Sequence, residues 1–215
     1  MFTLSISADS LKALALCASK SDVRHYLNGV CVDLTTEGRV HLLTTDGHRM
    51  LIVGNAKLEG ERVNGRYILP IEAIKGIKAE RHNPVSIEIV PASDNVSESA
   101  GTFTIRGKLT TTGDLIEGRY PEWQRVMPQR RELSGETPCE VGHFNLGFLG
   151  DYGRAGELLG CKHPYLVHNG PNHSAYVYLG ANAFGIVMPM RITDCGAADW
   201  LAPIKAEVEE MREAA

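Results

Sequence analysis

The chain has 215 residues, of which 43% are hydrophobic, 22% charged and 7% aromatic, usage that excludes a disordered, collagen-like or disulfide-framework protein. That length holds one large domain or two small ones, with ample chain to bury a core. Lys and Arg number 22 against 26 Asp and Glu, a net charge of −4, so bulk charge does not hold nucleic acid and any DNA contact needs a basic face on an acidic body.

Residues 2–7 alternate as a strand, and Ala8, Asp9 and Ser10 offer caps for a helix over 11–20. Strands are expected over 26–34 and 40–53, with Thr36, Glu37 and Gly38 as a hairpin turn. The order then restarts. A strand over 65–70 and a helix over 71–81 precede strands over 85–90, 101–107 and 109–116, with the polar run 93–100 as a hairpin tip. Residues 120–140, rich in Pro, Arg and Gln, read as an extended linker. A third copy follows: a strand over 139–145, a helix over 146–159 weakened by four glycines, and strands over 165–168, 175–179 and 183–192. Three β-α-β-β-β units thus start near residues 1, 65 and 138. Beyond Pro203, residues 204–215 form a helical pattern.

Catalytic and metal patterns are weak. Asp46 and His48 stand two apart, an acid/base candidate, but Gly47 between them implies a turn that shapes a surface. Cys161, His163, His168 and His173 are too widely spaced for a standard metal site, and Asn169-Gly170 splits them across a hairpin. No metal or cofactor is expected. Cysteines 17, 31, 139, 161 and 195 are odd in number and far apart, the pattern of reduced thiols. No apolar run approaches the ~18 residues of a membrane helix, and residues 1–6 lack signal-peptide character. A cytoplasmic protein with no membrane partner is expected.

The cations carry more. Lys12, Lys20 and Arg24 fall on or after the first helix, Lys75, Lys78 and Arg81 on the second, Arg154 and Lys162 on or after the third, with acidic residues expected elsewhere. Taken alone, a solvated helix face accounts for such cations equally well, but their recurrence on the helix of every repeat favours a basic surface suited to sequence-independent phosphate contact. Met188-Pro189-Met190 is an apolar, adaptable strand end, a composition common to peptide grooves and to core edge strands.

Four strings then agree with one family. Arg24-His25-Tyr26-Leu27-Asn28-Gly29-Val30, Thr45-Asp46-Gly47-His48-Arg49-Met50, the run 118–128 (Gly-Arg-Tyr-Pro-Glu-Trp-Gln-Arg-Val-Met-Pro) and Val187-Met188-Pro189-Met190-Arg191 occur in the order in which the bacterial DNA polymerase III β sliding clamp carries near-identical strings. The chain resembles that family over about residues 1–192. The resemblance implies an α+β DNA-clamp fold of curved antiparallel sheets with helices on one face. It implies a complete two-repeat domain over 1–120, a linker over 121–137, half a domain over 138–192, and a tail over 193–215 that the family lacks. Carried over position by position, the family's partner-peptide pocket falls on Leu27, Thr45, Gly47, His48, Arg49, Met50, Pro121, Arg125, Val126, Ile186, Met188, Pro189, Met190 and Arg191. Such a pocket would take a short peptide with a Gln and a Leu-Phe-like end. Arg24, His25 and Tyr26 match a DNA-contact region.

The resemblance implies a non-enzymatic processivity factor for replication or repair, encircling duplex DNA at the nucleoid. A clamp-derived module that never encircles DNA and competes for clamp-binding partners is the alternative. The third repeat lacks a partner within the chain, which points to self-association with a dimer as the minimal unit, unless residues 193–215 fold back to cover it.

Overall fold

The computed structural model describes residues 1–35, 39–61, 63–77, 83–92, 99–127, 142–168 and 170–192. Predicted elements over 78–81, 93–98, 128–141 and 193–215, among them Lys78, Arg81 and the expected tail helix, lie outside the described residues. In chain order the elements are β1 (Phe2–Ser7), α1 (Ala8–Cys17), β2 (Gly29–Asp33), β3 (His41–Thr45), β4 (Arg49–Val53), β5 (Lys57–Gly60), β6 (Arg66–Pro70) and α2 (Ile71–Lys75). Then come β7 (Pro84–Pro91), β8 (Gly101–Arg106), β9 (Thr110–Asp114), α3 (Leu146–Leu159), β10 (Tyr165–Val167), β11 (Ala175–Tyr178) and β12 (Ala183–Val187).

The strands form two antiparallel sheets, ordered β5-β1-β7-β8-β9 and β10-β11-β12-β4-β3-β2-β6. The first two repeats exchange their opening strands. β1 leaves its own repeat to pair with β7 of the second, and β6 leaves the second repeat to pair with β2 of the first. The exchange is in equivalent register: Ser7, the residue before α1, opposes Pro84 at the start of β7, and Pro70, the residue before α2, opposes Gly29 at the start of β2.

The third repeat continues the same sheet. β12 pairs antiparallel with β4, Ile186 opposite Met50 and Gly185 opposite Leu51. Side-chain alternation then sorts residues to two faces. Val30, Val32, Leu42, Leu51, Val53 and Leu69 join the large core with all three helices and the inner residues of β1, β7 and β8. Cys31, Leu43, Met50, Ile52, Ile68 and Ile186 point the other way and form a second, smaller core with Leu27, Tyr120 and Trp123. Burial on both faces explains why β2 and β4 are buried at every position and read as continuous runs.

Several expectations are corrected. The run 40–53 is two strands, because Asp46-Gly47-His48 turns the chain and Gly47 takes φ 89°, a conformation that favours glycine. The first helix begins at Ala8, since Ser7 is the N-cap and its Oγ accepts from Ser10 N at 3.1 Å. The third helix runs its expected length despite its glycines: Asn145 caps it, accepting from Gly147 N at 2.8 Å, and Gly160 closes it at φ 73°. Residues 120–127 are not a free linker, because Tyr120 and Trp123 are buried against the second face of the long sheet. β12 stops at Val187, short of the expected residue 192.

Candidate functional site

The turn between β3 and β4 is built by its own side chains. Thr45 Oγ1 accepts from Gly47 N at 3.0 Å and donates to Arg49 O at 2.7 Å. Asp46 Oδ1 accepts from His48 N and Arg49 N at 2.9 and 3.0 Å, and its Oδ2 meets Arg49 Nε at 3.0 Å. The Asp46 carboxylate is therefore occupied by the backbone of the turn and by Arg49, while the His48 ring stacks on Phe148 at 6.3 Å between centroids. That geometry suits a rigid turn and gives Asp46 and His48 no shared acid/base work.

Arg49 is the hub. Its guanidinium reaches Asp46, Asp151 Oδ2 at 2.6 Å and Leu16 O at 3.0 Å, and lies 4.4 Å over the Phe148 ring. Burial disfavours its charge, but the paired carboxylates of Asp151 and Asp46 outweigh burial and raise its pKa further. Beside it, Tyr152 inserts at the β4–β12 seam. Its hydroxyl accepts from Met50 N at 3.2 Å and lies within donating distance of Met50 O and Ile186 O, at 2.8 and 2.7 Å. Gly185 leaves the room: a Cβ there would fall inside the Tyr152 ring. Burial pushes the Tyr152 phenol pKa well above its ordinary value, so the hydroxyl keeps its proton.

On the sheet face opposite the helices, four stretches of chain converge on a depression of about 190 Å³. Leu27, Met50, Trp123 and Ile186 supply an apolar floor, with Pro121, Val126 and Met188 at its margins. Arg24, Gly47, His48 and Glu122 rim it, and Thr45 and Arg49 complete the lining. Met188 N donates to His48 O at 2.9 Å, which ties the end of the third repeat to the β3–β4 turn. Of the residues expected here, Arg125, Pro189, Met190 and Arg191 lie outside the lining. Arg125 is mostly exposed and pairs with Glu122 at 2.6 Å, and Met190 N donates to His143 O at 2.7 Å.

Sequence reasoning missed Trp123, although it sits inside the run 118–128. Its Nε1 donates to Asp33 Oδ2 at 2.7 Å, and this pins residues 120–127 over the sheet. Asp33 is fully buried and also receives Arg66 Nε at 3.1 Å and Thr35 N at 2.8 Å. Burial raises its pKa, but the hydrogen bonds from Thr35 and Trp123 and the Arg66 charge more than offset this and hold it below the usual carboxylate range.

The helical cations are placed differently from the expectation that acids lie elsewhere. Each described helix carries an acid three residues before its cation: Asp9 at 4.0 Å from Lys12, Glu72 at 2.7 Å from Lys75, Asp151 at 3.2 Å from Arg154. Arg24 pairs with Asp22 at 2.7 Å and sits at the depression, and His25 and Tyr26 lie in the adjoining 3-10 turn. Lys20 and Lys162 are exposed. Among the described residues, no three His, Cys, Asp or Glu side chains are grouped to hold a metal, and no helix is long and apolar enough to cross a membrane.

An α+β chain of strand-exchanged repeats, with its helices on one face of a long antiparallel sheet, is the architecture of sliding clamps. The DNA polymerase III subunit beta of Pseudomonas aeruginosa superposes with a TM-score of 0.64 at 19% identity, covering 88% of this chain and 66% of that one. The Helicobacter pylori beta clamp bound to a DNA ligase peptide gives 0.66 at 15% identity, with 89% and 66% covered. Residues 6–122 match the sequence profile of the DNA polymerase III beta subunit, central domain, and the chain belongs to the DNA polymerase III beta subunit family. The beta sliding clamp of Salmonella typhimurium is 32% identical over 125 residues, 56% of this chain and 31% of that protein. That of Vibrio cholerae is 32% identical over 128 residues, 57% and 31%. The chain thus spans about a third of the length of the curated relatives it matches.

Proposed function

We propose that this sliding-clamp-like chain is a non-enzymatic docking protein of DNA replication or repair, working in the cytoplasm at the nucleoid. Short clamp-binding peptides of polymerase or repair partners insert apolar side chains into the depression between Leu27 and Met188. The observation that carries this reading is the apolar floor, assembled from chain segments more than 150 residues apart and rimmed by polar groups (27 to 186). The DNA ligase peptide on the H. pylori clamp supports the class of ligand. In this reading residues 1–120 are a complete clamp-type domain, 121–137 connect, and 138–192 are half a domain. Arg125, Pro189, Met190 and Arg191 extend the site beyond the depression, toward the polar part of the peptide. The chain self-associates, with a dimer as its minimal unit.

Anchors in such a floor contribute about 1–3 kcal/mol each. Met188 is 41% exposed, so Met188→Asp leaves the fold intact while placing a charge where the peptide's apolar end sits. Fluorescence polarisation with a labelled Gln- and Leu-Phe-containing clamp-binding peptide is expected to show at least a tenfold loss of affinity, about 1.4 kcal/mol, at unchanged melting temperature. Equal affinity in the variant overturns the site.

Duplex DNA is the second proposed partner, contacted without sequence preference through Lys12, Lys20, Arg24, His25, Tyr26, Lys75, Arg154 and Lys162, with Lys78 and Arg81 beyond the described residues. The acids beside Lys12, Lys75 and Arg154, together with the net charge of −4, favour a second reading: a groove-only module that competes for clamp-binding peptides and does not encircle DNA.

A further inference from the structure

The first two repeats obey one rule at their junction, and the third repeat carries the same parts, unmatched among the described residues. In both complete repeats the opening strand of the other repeat covers the outer edge of the strand that follows the helix: β6 covers β2, and β1 covers β7. The residue before each helix opposes the first residue of the receiving strand, Pro70 with Gly29 and Ser7 with Pro84. The first helical N–H then donates to the carbonyl just before that strand, Ile71 N to Asn28 O at 3.0 Å and Ala8 N to Asn83 O at 3.2 Å. Both of those first helical residues are buried, Ala8 at 0% and Ile71 at 3% exposed.

In the third repeat the strand after the helix is β10, and among the described residues it is the last strand on its side of the sheet. Its alternation matches the rule. Leu166 packs toward the large core, as Val30 and Val85 do, while Tyr165 and Val167 are exposed at 54% and 39%. The opening segment is also in place: Asn145 caps α3, Phe144 packs on the large core as Ile6 and Leu69 do, and His143 bridges Met190 on one side. Leu146, the counterpart of Ala8 and Ile71, is 81% exposed. The fourteen residues between Met127 and Gly142 (128 to 141) are too few for the repeat that would match it.

We infer that a second copy of this chain supplies the match, its residues 143–146 covering the edge of β10 while β10 of the second copy receives residues 143–146 of the first. This rests on the proposed self-association and specifies its geometry. One two-fold axis satisfies both edges, as an isologous contact requires. The rule fixes the register: Asn145 opposes the second copy's Tyr165, Phe144 its Leu166 and His143 its Val167, and the Leu146 N–H reaches its Pro164 carbonyl. The paired half-domains then form one complete domain, and the dimer holds six repeats.

Light scattering on the full chain is expected to give about 47 kDa, twice the 23.5 kDa of one chain. Opposed Cα atoms in an antiparallel pair lie about 4.5–5.5 Å apart, within disulfide reach. A His143→Cys, Val167→Cys variant is therefore expected to form a covalent dimer on mild oxidation, seen on a non-reducing gel. The shifted pair His143→Cys, Leu166→Cys, with side chains on opposite faces, is expected to give none above the parent chain. Leu146→Glu, at an exposed position of the single chain, is expected to raise the dimer dissociation constant at least tenfold with an unchanged circular dichroism spectrum. A 23.5 kDa species at every concentration overturns the exchange and the self-association together. A dimer that cross-links equally through the shifted pair, or not at all, overturns the exchange and leaves self-association standing. Dimerisation only after residues 193–215 are removed assigns the edge to the chain's own tail and also overturns the proposal.

Discussion

Two residues illustrate how much rests on single atoms. Tyr152 reaches the β4–β12 seam only because Gly185 has no side chain. Gly185→Ala is expected to displace the ring, opening a buried gap and breaking the hydroxyl's contacts with Met50 and Ile186, at a cost of about 3 kcal/mol or more. Urea unfolding monitored by circular dichroism measures it, and Tyr152→Phe, which keeps the ring, is expected to cost less, about 1–3 kcal/mol. Asp33 gives a pH signature. Its folded pKa is depressed, so its contribution is fully present above the unfolded value of about 3.9 and is lost as pH falls through the folded value. Urea midpoints for the parent are expected to fall below pH ~4 more steeply than for Asp33→Asn, which has no carboxylate to protonate there. Parallel slopes in the two proteins count against that role for Asp33.

At the scale of elements, the apolar alternation of residues 2–7 and 85–90 located β1 and β7, because each buries one face against the large core. The run 40–53 reads as continuous because both faces of β3 and β4 are covered, which erases the alternation, and only Gly47 marks the turn between them. β5 is silent in the sequence for the opposite reason: Lys57, Leu58, Glu59 and Gly60 form a mostly exposed edge with little apolar signal. Apart from Ile186, the residues lining the depression come from the same four strings that carry the family resemblance. The role of Trp123 is not legible in the sequence because it depends on Asp33, ninety residues away, and no local spacing announces that bond. The strap over 120–127 follows from that contact. Trp123→Ala is expected to loosen it at about 3–5 kcal/mol, combining the lost ring with a buried carboxylate short of one donor. The same variant is expected to weaken peptide binding, since the ring is part of the depression's floor. Calorimetric unfolding and fluorescence polarisation on one preparation separate the two effects.

For the whole molecule, charge placement sets what the proposed contact with DNA would be. Exposed ion pairs such as Lys75–Glu72 contribute little and leave the cation available to a phosphate. A net charge of −4 opposes approach of a polyanion from a distance. Binding to linear duplex is therefore expected to be weak, indifferent to sequence and lost between about 50 and 200 mM salt. A Glu72→Gln variant is expected to bind more tightly at low salt, because its carboxylate no longer competes for Lys75. Electrophoretic mobility shifts across a salt series test this, and affinity that is flat in salt or confined to one sequence contradicts it.

The join between β4 and β12 also has a consequence on the ribosome. β4 ends at Val53 and its neighbour β12 at Val187, so 134 residues (187 minus 53) separate the completion of one edge from the arrival of the strand that closes it. At synthesis rates of about 5–20 residues per second, that interval is about 7–27 s. For all of it the nascent chain presents Arg49–Val53, an apolar strand with an open ladder edge, to any other nascent chain on the same message. Emergence of the third repeat is thus the event that ends the aggregation hazard of the first.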